Sequence, residues 1–505
     1  MTPQKPDIPS SKKPSAFDEF GLQKTVELLK QEIKDLYRFD NVPWIIGYSG
    51  GKDSTATLQL VWLAIQELPE SERLKPIHVI STDTLVENPI VAIWVAGSLD
   101  VMKKSADKNT LPFLPHRLTP NVEDSFWVNL IGKGYPAPRP KFRWCTERMK
   151  IRPSNNFIKS VVTNNGEAIL LLGARKSESI ARARVLKAAA KYRVRDRLSP
   201  NPTLPGCLVY TPIEDWTNDD VWLFLMQIEN PWGYTNKDLL TMYAGASADG
   251  ECPLVLDTST PSCGDSRFGC WVCTLVAKDK SMSAMVQNDQ EKEWMLPLLK
   301  MRNAMDIEND KPLRDFRRMS GAINLMHDGS PMPGPYTQSA REAWLRQLLA
   351  AQTWVHTNGP KEVQMLQLIT LEELQEIRRI WVVDKHELED SLPRIYKDVT
   401  GNNYPGCPLD DNLVIGESDM ALLHELCGDD RLHYELTREL IDVERRHQNV
   451  VRRSEIFSDI EKAFKRGFYE DKADATEKVR KEQSLLQHAR DIRENALTPL
   501  TEQKA

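Results

Sequence analysis

A short loop containing two adjacent glycines joins an apolar run to a helical segment near the start of the chain. The run at 44–48 leads directly into the sequence SGGKDS, and residues 54–68 then have the apolar spacing of a helix. Adjacent glycines let the backbone approach a phosphate closely, and a helix N-terminus supplies free N–H groups and a favourable dipole. We therefore predict a polyphosphate site formed by Ser49, Gly50, Gly51, Lys52, Asp53 and Ser54.

Asp53 is the unusual member of this loop, because a carboxylate does not favour an anion. It is consistent with a magnesium ion held beside the phosphates or with a cap on the helix that follows. The sequence leaves both interpretations open. The spacing also differs from the GxxxxGK[ST] loop of Walker-type nucleotide sites.

Short apolar runs alternate with helical segments up to about residue 213, which indicates an α/β fold with a parallel sheet. The predicted strands are 44–48, 77–81, 114–118, 168–173 and 208–213. After residue 275 the pattern is mainly helical. We divide the chain into a leader with an N-terminal helix (1–40), an α/β nucleotide domain (41–275) and a mainly helical C-terminal region (276–505).

Composition excludes several classes of protein. No apolar run approaches the ~20 residues of a membrane span, and the first residues lack the apolar core of a secretory signal. The formal net charge of −6 argues against a chain that binds nucleic acid with its whole surface. We therefore expect a cytoplasmic protein that does not associate with a membrane and whose basic patches are local.

Eight cysteines in such a chain indicate free thiols, a metal site or catalysis rather than a disulfide framework. Cys263, Cys270 and Cys273 are close in sequence, and Cys145 is a fourth candidate. Four thiolates suit either a [4Fe–4S] cluster or a structural zinc ion. Cys252 lies in the same segment as the three and is a competing candidate, whereas Cys207, Cys407 and Cys427 are expected to pack as small apolar residues.

Four further motifs follow the loop in a fixed order. They are DTLVENP (83–89), CTERMKIRP (145–153), GARKSESIAR (173–182) and PIEDWTNDDVW (212–222). Together with SGGKDS they resemble the PP-loop ATP pyrophosphatases, in particular the sulfate-assimilation branch. The resemblance implies ATP and Mg²⁺ as cofactors, cleavage of ATP between its α and β phosphates, catalytic roles for Lys52, Asp53 and Arg175, and nucleotide contacts from Asp83 and Arg182.

Most of the chain, including residues 278–303, resembles the DndC sulfurtransferases of bacterial DNA phosphorothioation. It lacks the C-terminal redox cysteine or the adjacent cysteine pair of sulfate reductases, and the two C-x₂-C pairs usual in tRNA thiolases. The resemblance favours a 4Fe-4S cluster on Cys145, Cys263, Cys270 and Cys273. It also implies DNA as substrate, a cysteine desulfurase as sulfur donor, and the phosphorothioation proteins DndD and DndE as partners.

The sequence leaves other functions open. The chain could be a phosphoadenylyl- or adenylyl-sulfate reductase-like enzyme, a tRNA thiolase, or a scaffold that does not catalyse a reaction, although the intact SGGKDS loop argues against the last. Basic residues are concentrated at 139–152 and 175–197, where they could face a DNA backbone or form ordinary solvated helix surfaces. Arg175 and Arg182 could likewise be solvated residues at a helix start, whereas Trp216 and Trp222 are expected in the core.

Overall fold

The computed structural model of the chain describes residues 14–195, 197–246, 268–409, 415–448 and 455–497. The chain forms two compact units. The first comprises residues up to 126, 138–305 and 354–366, and the second comprises 127–137, 306–353 and the residues from 367 onwards. The division of the sequence at residues 40 and 275 stays a prediction.

A six-stranded sheet forms the centre of the first unit, in the order β3-β2-β1-β4-β6-β5. Its strands are β1 (Trp44–Gly47), β2 (Ile77–Thr82), β3 (Phe113–Leu118), β4 (Ala168–Leu171), β5 (Ser199–Pro200) and β6 (Cys207–Tyr210). All neighbours are parallel except β5, which pairs antiparallel with β6. The predicted α/β fold with a parallel sheet is confirmed, with one short antiparallel edge strand added.

Helices surround this sheet. They are α1 (Gly21–Phe39), α2 (Lys52–Gln66), α3 (Pro89–Lys108), α4 (Arg152–Asn165), α5 (Ile180–Ala189), α6 (Asn218–Gln227), α7 (Asn236–Gly245), α8 (Lys280–Asn288) and α9 (Leu296–Met305). The ring of Trp62 on α2 stacks on Phe113 of β3 with centroids 4.2 Å apart. Trp216 and Trp222 are buried as predicted. Because the central strands are covered on both faces, they read as continuous apolar runs in the sequence.

Strand β1 occupies the position in the sheet that fixes the location of the site. Trp44 is level with Ile77 of β2 on one side and with Ile169 of β4 on the other. The connection after β1 therefore leaves the sheet where the strand order reverses, which is where open α/β sheets bind their ligands. The SGGKDS loop is this connection.

The region after residue 306 is mainly helical, as predicted. Its helices are α10 (Gln338–Asn358), α11 (Leu371–Arg379), α12 (Ser391–Thr400), α13 (Glu417–Cys427), α14 (Arg431–Gln448), α15 (Ile456–Gly467) and α16 (Lys472–Leu497). In the second unit, the buried Glu387 pairs with the buried Arg341. Among the described residues, no helix is long and apolar enough to cross a membrane.

Candidate functional site

The loop after β1 is held in shape by its own hydroxyl groups. Gly50 has a φ of +72°, a conformation that favours glycine. The N–H of Ser49 donates to Ser54 Oγ at 3.1 Å, and Ser54 Oγ donates to the carbonyl of Gly51 at 3.0 Å. Gly51 is the N-cap of α2, so the alternative that Asp53 caps this helix is wrong. The first turn of α2 therefore meets the cleft with its backbone N–H end.

The end of β4 packs directly against this first turn. A Cβ atom placed on Gly173 would lie 2.6 Å from the carbonyl oxygen of Asp53 and 3.0 Å from the backbone nitrogen of Ser54. Both neighbours are backbone atoms and cannot rotate away. The glycine at 173 therefore lets the segment that carries Arg175 approach the phosphate loop closely.

Three charged side chains converge at this contact. Arg175 Nε donates to Asp53 Oδ1 at 2.8 Å, and Lys52 Nζ lies 3.4 Å from Asp53 Oδ2. Arg175 is only 3% exposed, and its Nη1 also donates to Ser177 Oγ at 2.7 Å. Burial lowers the pKa of Lys52, an effect that Asp53 opposes and Arg175 reinforces. The interpretation of Arg175 as a solvated residue is therefore wrong, because it is a buried partner of the loop.

A cleft of about 980 Å³ opens above the loop. All six loop residues line it, together with Asp83, Arg175 and Arg182. Asp83, after β2, accepts a hydrogen bond from Arg117 Nε at 2.9 Å. Arg182 on α5 is half-exposed at the rim and pairs with Glu178 at 3.0 Å. The structure thus brings the predicted nucleotide residues to one cleft, although Arg182 also fits an ordinary charged helix start.

Arg117 and Tyr243 are cleft residues that the sequence did not predict. Arg117 stands at the carboxyl end of β3, a position where parallel sheets place ligand groups. Tyr243 of α7 accepts a hydrogen bond from the backbone N–H of Lys52 at 3.4 Å, and burial raises its pKa to about 12. Its phenol therefore stays protonated near neutral pH and can donate a hydrogen bond to an anion in the cleft.

The structure describes three of the four predicted cluster cysteines, Cys145, Cys270 and Cys273, and Cys263 lies outside the described residues. The thiols of Cys145 and Cys270 are each near enough to Cys273 to interact with it electrostatically. Burial raises the pKa of both Cys145 and Cys270. Cys145 immediately precedes a π-helical turn, Thr146–Ile151, a local geometry frequent at functional sites.

The other described cysteines differ in how far they are buried. Cys207 is buried, as expected for a packing residue, whereas Cys407 is exposed and Cys427 is half-buried. Packing is therefore the wrong interpretation for Cys407. Its segment, which is rich in Gly and Pro, leaves the thiol at the surface of the second unit.

Glu87 connects the cysteines to the cleft. It forms an antiparallel bridge with Cys270, and the Cys270 sulfur lies 3.8 Å from Glu87 Oε1. Lys150 Nζ lies 3.1 Å from the same carboxylate oxygen. Glu87 and Lys150 both line the cleft. The Cys270 thiol therefore lies beside a side chain that lines the cleft.

The residues present suit the implied cofactors. Mg²⁺ is usually held by one or two carboxylates plus substrate phosphates, and Asp53 and Asp83 provide carboxylates at the cleft. Neighbouring thiols match the donor set of an iron–sulfur cluster. Within the described ranges, no group of three or more His, Cys, Asp or Glu residues is arranged as a metal site. The predicted set of four cluster ligands also includes Cys263.

The two basic segments contain two kinds of cation. Arg152, Lys176, Arg193, Arg195 and Arg197 each form an ion pair with a carboxylate of the first unit. Lys141, Arg143, Arg184, Lys187 and Lys191 are exposed and pair with no described carboxylate. The sequence count therefore overstated the basic surface, because carboxylates of the first unit neutralise part of it.

Comparison with known proteins agrees with this geometry. Residues 43–233 match the phosphoadenosine phosphosulfate reductase domain family. A stretch of 200 residues is also 26% identical to an uncharacterized protein of Methanocaldococcus jannaschii. That alignment covers 40% of this chain and only 35% of the relative, so the chain spans about a third of that protein's length.

Two solved structures are similar in part to this chain. One is the phosphoadenylyl-sulfate reductase of Candida auris in a phosphate complex, with 15% identity and a TM-score of 0.27 over 42% of this chain and 89% of the other. The second is the U34-tRNA thiolase NcsA of Methanococcus maripaludis with its [4Fe-4S] cluster, with 13% identity and a TM-score of 0.28 over 60% and 88%. TM-scores this low are below the level at which a shared overall fold is inferred.

Proposed function

We propose that the chain is an ATP-dependent sulfurtransferase of DNA backbone phosphorothioation. The observation that carries this proposal is the continuity between two chemistries. The phosphate loop, with Lys52, Asp53 and Arg175, opens into a cleft. Glu87 also lines this cleft, and its carboxylate contacts the Cys270 sulfur. A site of this kind can activate an oxygen with ATP and present sulfur to the same acceptor.

The first step activates the acceptor. A non-bridging oxygen of a DNA phosphate attacks the α phosphorus of ATP, the bond from the α phosphorus to the β-bridging oxygen breaks, and pyrophosphate leaves. The N-terminal N–H groups of α2 and the Lys52 ammonium hold the phosphates that depart. Arg175 keeps the Asp53 carboxylate oriented at 2.8 Å. Mg²⁺, when bound with ATP, supplies charge neutralisation at the polyphosphate.

The second step exchanges oxygen for sulfur. A sulfur nucleophile derived from a cysteine desulfurase attacks the activated DNA phosphorus, and AMP leaves with the former DNA oxygen. AMP is a much better leaving group than the oxygen alone, which is the reason for spending ATP. If the donor is a persulfide, its outer sulfur bonds to the phosphorus, and a second thiol then attacks the sulfur–sulfur bond, which releases the phosphorothioate and forms a disulfide. If the cysteines held an iron–sulfur cluster, it would supply sulfur at the sulfide level instead. In either route the Cys270 thiol, next to Glu87, is the proposed point where sulfur enters the cleft.

The test is mass spectrometry of nuclease-digested genomic DNA from a host that carries competent partner proteins, including DndD and DndE. Sulfur-linked dinucleotides resist the nuclease. We expect them with the intact chain and not with Lys52→Ala, whereas the exposed Lys103→Ala on α3 serves as the matched control. Absence of these dinucleotides with the intact chain would refute the proposal.

A second candidate is an adenylyl- or phosphoadenylyl-sulfate reductase, because residues 43–233 match that domain family. This candidate predicts sulfite release from adenylated sulfate by the purified chain and restored growth on sulfate in a reductase-deficient host. It also predicts genomic DNA without sulfur-linked dinucleotides. The two candidates therefore give opposite results in the same pair of assays.

A further inference from the structure

We propose that the exposed face of α5 binds the phosphate backbone of the DNA whose phosphate enters the cleft. This inference rests on the proposed function and assigns the DNA to a particular surface. α5 begins at the rim, where Ser179 and Arg182 line the cleft. A duplex lying along this helix would therefore place a phosphate beside the nucleotide site.

α5 packs only weakly, through the half-buried Ala183, Leu186 and Ala189. No residue between Ile180 and Ala189 is buried. Ile180, Val185 and Tyr192 are 75%, 62% and 73% exposed, although such side chains normally pack against a core. A helix of ten residues gains little stability from its own hydrogen bonds, so most helices of this length depend on a packed face. The weak packing of α5 leaves most of its surface at the cleft rim open to a ligand.

The cations of this helix share one face. Arg184, Lys187 and Lys191 follow each other at spacings of three and four residues, so they lie on the same side of the helix and of the single 3₁₀ turn that extends it. All three are exposed and pair with no described carboxylate. A solvated structural face would instead carry acidic partners at these spacings, as Arg182 does with Glu178.

The spacing of these cations suits a nucleic acid backbone. From Arg184 to Lys191 the helix advances roughly 10 Å. One strand of duplex DNA presents about three phosphates over that axial distance, at ~3.4 Å each. Three cations on one face can therefore meet three consecutive phosphates. Tyr192, next to Lys191, adds an exposed ring that can lie against the sugar of the same strand.

The experiment compares full-length variants loaded with their native cofactors. The test variant is Arg184→Ala/Lys187→Ala/Lys191→Ala, and the matched control is Lys103→Ala/Lys104→Ala/Lys108→Ala. The control lysines are equally exposed and follow the part of α3 that lines the cleft, with Lys108 about 13 Å beyond Leu99 along the helix. Both variants remove three positive charges from surface positions, so both should fold, which circular dichroism checks.

Binding of a labelled 20-base-pair DNA duplex is measured by fluorescence anisotropy from 50 to 200 mM salt. Each phosphate contact contributes about 0.9 to the slope of log affinity against log salt. We expect the slope of the test variant to be shallower than that of the intact chain by about 2.7, and the control slope to be unchanged. Equal slopes for the test variant and the intact chain, or an equal loss in the control, would overturn the inference.

A second readout separates this inference from the proposed function. Sulfur-linked dinucleotides are measured in cells that carry the intact chain or the α5 variant. Normal levels with the α5 variant would overturn the surface assignment and leave the function standing. If the intact chain produces none, the proposed function fails, while the salt slopes still decide whether α5 binds DNA. Binding of a protein partner by α5 in place of DNA would appear as unchanged slopes and would also overturn the inference.

Discussion

Gly173 lies where the segment that leads to Arg175 contacts the phosphate loop. Gly173→Ala should therefore push this segment and the loop apart. The added methyl group would lie 2.6 Å from the carbonyl oxygen of Asp53, whereas ordinary contacts begin at 3.4 Å. To remove this steric clash, the first turn of α2 and the end of β4 must separate by about 0.8 Å. The Arg175–Asp53 hydrogen bond, at 2.8 Å, cannot keep its length through such a shift.

The magnitude follows from that displacement. Overpacking by one methyl group typically costs 1–3 kcal/mol, and each 1.4 kcal/mol corresponds to a factor of ten in affinity. If the strain falls on the loop, the dissociation constant for ATP should rise about 5- to 140-fold. The rest of the sheet is untouched, so the thermal unfolding midpoint should fall by only a few degrees.

Isothermal titration calorimetry with a non-hydrolysable ATP analogue measures this effect directly. Gly245→Ala is the matched control, because the nearest atom to its added methyl group is the flexible Lys292 Nζ at 3.9 Å. The control should bind the analogue as the intact chain does. ATP affinity within twofold of the intact chain in Gly173→Ala would refute the claim that this contact positions the loop.

Three other predictions follow from the same structure. Arg175→Met should lower the free energy of unfolding by about 3 kcal/mol, because it leaves a half-buried carboxylate without its main partner; an unchanged urea midpoint would contradict this. Cys270→Ala should reduce the iron content of anaerobically purified protein, measured by mass spectrometry of the metal, while Cys407→Ala should not; equal iron in both would argue against the cluster. Burial lowers the pKa of His78 and His116, and His78 Nδ1 lies 3.0 Å from His116 Nε2. The unfolded chain therefore binds more protons near pH 6, and stability should fall as the pH drops below ~6.5. Replacing both histidines by glutamine should flatten the urea midpoint between pH 7 and pH 5, and an unaltered pH dependence would contradict the assignment.

The sheet was predictable because its central strands are buried on both faces. Runs such as 44–48 and 168–173 are apolar throughout, and each is followed by residues that leave the sheet. The edge strand β5 was not predicted, because a two-residue strand that contains Pro200 has no detectable period. Its pairing with β6 is determined by tertiary contacts alone.

The candidate site likewise combines a local sequence motif with contacts between distant residues. The loop at 49–54 is a local motif whose residues are adjacent in sequence, so its position could be predicted. Tyr243 comes 191 residues after Lys52 and stands in a helical segment that contains no recognisable motif. Only the folded chain brings its hydroxyl to the loop. The pairing of Arg175 with Asp53 is equally non-local, which explains why a solvated Arg175 remained open at the sequence level.

The structure also explains why counting charges along the sequence is a poor guide to a nucleic acid surface. Arg195 and Arg197 are as basic as Lys187, but they are held by Asp40 and Glu32. Their carboxylate partners lie more than 150 residues earlier in the chain and cannot be assigned from the local sequence. Unpaired, exposed cations on one helix face are the more specific sign of a phosphate ligand.

The most direct test of the central claim traces the oxygen that is removed. A DNA duplex with ¹⁸O at its non-bridging phosphate positions is incubated with ATP, the intact chain, its partner proteins and the sulfur donor, and the AMP produced is examined by mass spectrometry. If a DNA oxygen attacks ATP and then leaves with AMP, each phosphorothioate formed should be matched by one AMP that carries ¹⁸O. AMP that contains only solvent oxygen while phosphorothioates accumulate would contradict activation of the DNA phosphate by adenylation.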